Sequence, residues 1–184
     1  MGFKILDTGF EKIQCSVSRI HYLKSNLNMH ITYRKATIDD LDELVRLRIE
    51  FLKEVQKVET RQYSEEELST SLREYLFTSI NNDAFVAWLA ISEGEVIATS
   101  GLCFFQITPG FTLINGKIAY ILNIYTLPNW RGKGVGKQVF DHILHEAINR
   151  GYKRISLHAS DDGRPIYEKF DFRLTSDEME LRIP

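Results

Sequence analysis

Residues 121–136 read Ile121-Leu122-Asn123-Ile124-Tyr125-Thr126-Leu127-Pro128-Asn129-Trp130-Arg131-Gly132-Lys133-Gly134-Val135-Gly136. An apolar run rich in β-branched residues gives way at Pro128 to a turn, and three glycines in five residues then open a helix. Glycines at that place let the backbone turn tightly and bring several unpaired N–H groups to face one point. The positive end of the helix dipole reinforces them. The result is an anion site suited to phosphate or pyrophosphate, and Arg131, Lys133 and Lys137 add full charges. Two familiar phosphate loops do not fit. The dinucleotide fingerprint begun at Gly132 needs glycine where Lys137 stands. The nucleotide P-loop ending at Gly136-Lys137 needs glycine at Arg131 and Ser or Thr at Gln138.

The chain on both sides of this stretch alternates between two periods. Residues 30–35 alternate like a strand. Thr37 with Asp40 forms a capping arrangement ahead of an amphipathic helix that reaches Val55. Ser64 with Glu67 starts a second helix. Residues 84–91 and 96–107 read as a hairpin about Glu93-Gly94-Glu95, residues 108–116 as a loop, and residues 117–126 as a third strand. A long helix over 135–149 is closed by Gly151. A strand over 153–158, a short helix over 166–170 and a last strand over 172–183 complete the order β-α-α-β-β-β-α-β-α-β. This predicts an α/β domain with a mixed sheet over 29–184. Residues 1–28 show no clear period and read as an N-terminal extension, with Met29 an alternative start.

Composition narrows the function classes. The 184 residues are 43% hydrophobic and 26% charged, with 23 Lys+Arg against 25 Asp+Glu. Near-balance of charge argues against a dedicated nucleic-acid binder. Cys15 and Cys103 form no CxxC pair, so neither a disulfide framework nor a Cys-rich zinc site is expected, and two free thiols fit a cytoplasmic location. The longest apolar run is far below the roughly 20 residues of a membrane span. Charged residues interrupt any secretory leader, and Leu6 breaks the myristoylation pattern after Gly2. His142 and His145 share a helix face without a third ligand, so no metal site is expected.

The spacing Gln/Arg-x-x-Gly-x-Gly/Ala is met by Arg131, Gly134 and Gly136, and it resembles the acetyl-coenzyme A motif of the GNAT superfamily of N-acetyltransferases. The resemblance runs from residue 31 to the C-terminus. It includes Ile166-Tyr167-Glu168-Lys169-Phe170-Asp171-Phe172, which looks like the family's tyrosine-bearing helix and its exit. It implies a mostly antiparallel central sheet with a splay between the two strands that hold the coenzyme arm. The cosubstrate implied is acetyl-coenzyme A. Its pantetheine arm would pair with backbone groups of Ile124, Tyr125 and Thr126, and the amides of Arg131, Gly132, Lys133, Gly134, Val135 and Gly136 would hold its pyrophosphate. Tyr167 matches the family's usual acid beside the coenzyme sulfur.

The reaction implied is direct attack of an amine on a thioester, the amine belonging to a small molecule or a protein. Three departures from the family pattern qualify this. Asn123 stands where many members carry a carboxylate base, and an amide takes up no proton at neutral pH. That keeps a second reading alive, a non-catalytic acyl-coenzyme A module or sensor. Ser160 or Asp161 stands near the place of a coenzyme-contacting asparagine, and Asp171 where a helix-ending glycine is common. His158, at the end of a strand facing the expected cleft, is the other candidate base. The acceptor pocket is expected from the first two helices, the linker 56–63 and the loop 108–116. Glu54, Glu59, Glu65 and Glu66 with Phe51, Tyr63, Phe105 and Phe111 would give it an acidic, aromatic lining suited to a cationic amine. Both a monomer and a homodimer are compatible with the sequence.

Overall fold

The first strand, β1 (Ile31–Lys35), leads through a single 3-10 turn into the helix α1 (Leu41–Val55). The computed structural model describes residues 30–161, 163–175, 179 and 181. The turn is stapled at Thr37, whose backbone N–H donates to Asp40 Oδ2 at 2.8 Å. Arg34 donates to both oxygens of the same carboxylate at 2.7 Å. That guanidinium holds the Asp40 carboxyl below its ordinary range, against the opposing effect of burial. A lowered folded pKa means that the contribution is complete above the unfolded value of about 3.9 and is lost as pH falls through the folded one. Asp40→Ala is therefore expected to cost about 1–2 kcal/mol at pH 7, the range of a lost helix cap. In denaturant titrations the gap between variant and parent should close as the pH drops below 4, and a gap that persists there would contradict the assignment.

Helix α2 (Glu65–Asn81) starts at Ser64, with the capping box expected from Glu67: Ser64 N donates to Glu67 Oε2 at 2.8 Å, and Glu67 N donates to Ser64 Oγ at 3.2 Å. Three antiparallel strands follow, β2 (Phe85–Ser92), β3 (Glu95–Gln106) and β4 (Lys117–Thr126). Then come helix α3 (Val135–Asn149), the short strand β5 (Arg154–Leu157) and the short helix α4 (Arg164–Glu168). The sheet order is β1-β2-β3-β4-β5, with every pair antiparallel except β4 with β5. The expected mixed, mostly antiparallel sheet is therefore present. Of the expected last strand, residues 172–175 carry no strand pairing, and 176–178, 180 and 182–184 lie outside the described residues.

Both faces of the sheet are covered, so β2 reads as a near-continuous apolar run. Phe85, Ala87 and Leu89 face α1 and α2, where Leu44, Leu47 and Leu76 are buried. Val86, Leu102 and Ile121 face α3, against Phe140, Ile143 and Ala147. Each fully buried leucine contributes about 1.5–3 kcal/mol relative to exposure. Lys35 donates to Glu146 Oε1 at 2.8 Å, and Arg150 Nε donates to the same oxygen at 2.8 Å, which ties β1 to α3. Residues of β4 thus sit mid-sheet with packed layers on both sides, and this fixes the site built on its C-terminal half.

Candidate active site

Strand β4 pairs with β5 from Ile118 opposite Arg154 to Ile121 opposite Leu157, and there the pairing ends. Residues 122–126 continue without a β5 partner, so the two strands diverge. On the other edge of β4 the register slips: Tyr125 lies opposite Thr99 but Leu122 opposite Gly101, leaving Asn123 and Ile124 against Ser100. This is a β-bulge, which bends a strand and increases its twist. Asn123 takes up the extra residue with φ of 57°. Among residues other than glycine, asparagine and aspartate tolerate that left-handed conformation best. The residue type at 123 thus has a backbone reason of its own. Its Oδ1 is buried with no hydrogen-bond partner among the described residues.

The gap between the strands is a cavity of about 350 Å³. Asn123, Ile124, Tyr125 and Thr126 line one side, and His158, Ser160 and Tyr167 the other; Arg131 and Gly136 close one end, and Phe51 and Glu54 reach in from α1. Beyond it lies the glycine turn. Gly134 is the N-cap of α3 with φ of 81° and supplies no side-chain cap. The first described amide of the helix to find an intrahelical partner is Gln138, which donates to Gly134 O at 3.2 Å. The amides from 132 to 137 donate to no acceptor among the described residues. Six amides without a partner among the described residues thus stand at the turn and helix start where the sequence leads one to expect an anion site. Gly132, Lys133, Gly134 and Val135 belong to this turn and do not line the cavity; Val135 is buried in the core and offers only its amide.

Arg131 is less available than its place in the motif suggests. Its Nη2 donates to Glu54 Oε1 and Oε2 at 2.9 and 2.6 Å, and its Nε donates to Thr126 O at 3.0 Å. The Tyr125 hydroxyl donates to Glu54 Oε1 at 2.7 Å. Burial raises the Glu54 carboxyl, but the hydrogen bonds from Tyr125 and Arg131 outweigh it, so Glu54 titrates below its ordinary value. Tyr125 is pushed up to about 12, by burial first and Glu54 second. The Tyr125 hydroxyl is thus committed to Glu54 of α1.

The short helix α4 starts at Arg164, two residues before the expected 166, because Gly163 caps it and Pro165 occupies its opening turn, so Tyr167 is its fourth residue. Its ring packs 5.1 Å from that of Phe140, centre to centre, and its hydroxyl has no partner among the described residues. Burial raises its pKa, so it stays a protonated donor at neutral pH. The Ser160 hydroxyl accepts from Gly163 N at 3.2 Å. His158 Nδ1 meets the Tyr120 hydroxyl at the edge of the cleft. His142 lies flat on Trp88 at 4.4 Å, and His145 Nδ1 meets Asp141 O at 2.9 Å. The described residues contain no cluster of His, Cys, Asp and Glu suited to a metal, and no helix long and apolar enough to cross a membrane.

A second concavity, about 640 Å³, lies between α1 and residues 56–68. It occupies the place expected for the acceptor, but its charge is the reverse of the acidic lining expected. Glu54 is held by Arg131, and Glu65 by Lys53 at 2.5 Å. Glu59 and Glu66 do not line the groove, whereas Arg48, Lys53 and Arg61 do. Phe105 and Phe111 lie outside it as well. Arg48 and Glu54 are the site residues whose partners and roles the linear sequence does not reveal. For Arg48 a signal existed: Leu44, Arg48 and Leu52 follow at intervals of four, which sets a cation on the apolar face of α1.

The sequence profile of the Acetyltransferase (GNAT) family matches residues 51–172. Among solved structures, a predicted acetyltransferase with acetyl-CoA from Clostridium acetobutylicum superposes with a TM-score of 0.76 at 31% identity, covering 83% of this chain and 96% of that one. Glucosamine 6-phosphate N-acetyltransferase of Trypanosoma brucei brucei is 27% identical over 90 residues, which are 49% of this chain and 59% of the relative. Thialysine N-epsilon-acetyltransferase of Mus musculus is 25% identical over 81 residues, 44% of this chain and 45% of the relative. The chain spans about half the length of these curated relatives. With its splayed strands, free-amide turn and matched profile, the chain belongs to the GNAT acetyltransferase family.

Proposed function

We propose that this protein is an N-acetyltransferase that moves an acetyl group from acetyl-coenzyme A directly to the amine of a small molecule. The observation that carries this reading is that the cleft between the diverging strands, lined by Arg131 and Gly136, adjoins the turn of amides without partners, an arrangement suited to a coenzyme arm ending in pyrophosphate. A side chain at Gly136 would meet Thr126 Oγ1 at 2.9 Å, so this end of the cleft is shaped for close approach of a ligand to backbone. Acetyl-coenzyme A supplies a thioester carbonyl activated for acyl transfer. The backbone of Ile124–Thr126 would hold its arm, with the amides of 132–137 on its phosphates and the Ser160 hydroxyl beside the arm. The amine nitrogen forms a bond to the acyl carbon as the carbon–sulfur bond breaks. Tyr167 gives its proton to the departing sulfur, and the nitrogen's proton leaves to water. The relatives named for glucosamine 6-phosphate and thialysine favour a small-molecule acceptor over a protein. Release of free thiol from acetyl-coenzyme A over a panel of amines tests the reading. Binding of coenzyme with no turnover on any amine would leave the non-catalytic module instead.

Asn123 lines the cleft and its buried Oδ1 has no partner among the described residues, so in this mechanism its amide orients the amine or a water and removes no proton. Asn123→Gly keeps the left-handed backbone and deletes the amide. It is expected to lower turnover by roughly 10-fold, the scale of one lost hydrogen bond, with coenzyme affinity retained. The pH–rate profile of the parent should climb toward alkaline pH with the ionisation of the amine itself, near ~10.4 for an alkylammonium. A profile flat across the neutral range would call for a base other than the amine itself, and His158 is the candidate that lines the cleft.

A further inference from the structure

Arg48 lies half-buried on the inner side of α1, between Leu44 and Leu52. Its guanidinium carbon is 5.5 Å from the centre of the Phe51 ring, and the Tyr120 hydroxyl is near enough to act on its charge. Among the described residues it has no hydrogen bond and no ion pair. Its neighbours differ in this respect. Arg46 is held by Glu43 and Glu50, and Arg131 by Glu54. Arg61 donates to the carbonyls of Lys53 and Gln56, and Lys53 pairs with Glu65. Burial depresses the Arg48 pKa and Tyr120 offsets this only in part, as for a charge taken from water without a full counter-charge. A guanidinium remains protonated in proteins, so its donors stay available to an anion. An unpaired cation of this kind destabilises the fold until a counter-charge arrives.

The position of Arg48 decides which anion that is. Arg48 lines the groove of about 640 Å³, while Phe51, beneath its guanidinium, lines the cleft between β4 and β5. The groove carries Arg48, Lys53 and Arg61 against Glu65 alone, a net positive lining. A planar guanidinium matches carboxylate and phosphate oxygens in a two-point geometry. We propose that this groove receives an anionic group, carboxylate or phosphate, carried by the acceptor amine, and that Arg48 is the residue that reads it. The inference rests on the acetyltransferase reading and deepens it: the acceptor is an amine with an acidic group at its far end, not a simple cation.

The test uses matched amines with coenzyme present: lysine against cadaverine for the carboxylate, and phosphoethanolamine against ethanolamine for the phosphate. Acetylation is followed by thiol release, and binding separately by calorimetry with coenzyme A. The anionic member of at least one pair is expected to show the higher kcat/KM. Arg48→Gln keeps much of the stem and should reduce that preference by roughly 10–100-fold, the scale of a hydrogen bond to a charged group, the loss falling on the member that carries the anionic group. Arg48→Lys should restore part of it, and melting temperatures of both variants report on folding. The proposal is overturned if neither pair shows a preference, or if Arg48→Gln lowers both members alike. Binding of an anionic amine that depends on Arg48 without any acetylation would uphold the anion site and refute the acetyltransferase reading. Turnover indifferent to Arg48 would do the opposite.

Discussion

Placing aspartate at Gly134 or Gly136 is expected to abolish binding of acetyl-coenzyme A while the fold survives. At Gly134 the backbone is left-handed, with φ of 81°, and a Cβ there would meet nothing within 4 Å. The added atoms therefore meet no neighbour, and the backbone strain that any side chain brings at this φ is smaller for aspartate than for most residues. What changes is the charge: a carboxylate would stand among the free amides 132–137 and take the place of the phosphate oxygens. At Gly136 the cost is also steric, because a Cβ would lie 2.9 Å from Thr126 Oγ1 on the cleft wall. Hydrogen bonds to a charged group contribute about 1.5–3 kcal/mol each, so losing two is expected to weaken binding by at least ~100-fold. Gly134→Ala, which adds strain without charge, should fall between the parent and the aspartate variant. Calorimetric titration decides it: affinity unchanged in both aspartate variants would put the phosphate cradle elsewhere.

Tyr167→Phe is the second large effect. The variant removes one oxygen, and the ring contacts with Phe140 and Phe172 remain, so stability should be kept. Coenzyme affinity should also hold, because the phosphate-holding amides lie on a different element. Turnover is expected to fall by about 10²–10⁴-fold, the usual share of a general acid. The physical reason is the leaving group: a thiol of pKa near ~8.5 must depart as an anion from a partly dry cleft, where a fixed donor is worth more than in water. Burial raises the Tyr167 pKa and keeps that donor protonated through the neutral range. Single-turnover rates are the measurement, since they isolate chemistry from product release. A phenylalanine variant with the parent's rate would reduce Tyr167 to a packing aromatic.

Local signals carried the frame of this molecule. The Ser64–Glu67 box, the Thr37–Asp40 staple, the Glu93-Gly94 hairpin and the glycine turn at 132–136 each lie within a few residues of one another, and all appear where their spacing places them. Features that depend on distant partners were not legible. Arg131 and Glu54 are 77 positions apart, and nothing in the motif says that the arginine's charge is already satisfied. The charge of the groove was hidden for the same reason: Glu54 and Glu65 are each paired with a cation brought to them in three dimensions. Asn123 is the mixed case. Its failure to match a carboxylate base was visible, but the left-handed bulge that favours asparagine became visible only with the register of β3 on β4. The last expected strand lacks pairing where it is described, so its reading from alternation alone stays an expectation.

Direct transfer within the cleft is the central claim, and one experiment addresses it. The protein is mixed with acetyl-coenzyme A alone and its mass is measured; an acceptor amine is then added, and thiol and product are quantified together. The account predicts a chain that stays unmodified in the first stage and, in the second, one acetylated amine for every thiol released. A thioester that stays bound and intact through every amine offered, or an acetyl group that first appears on the protein, would contradict it.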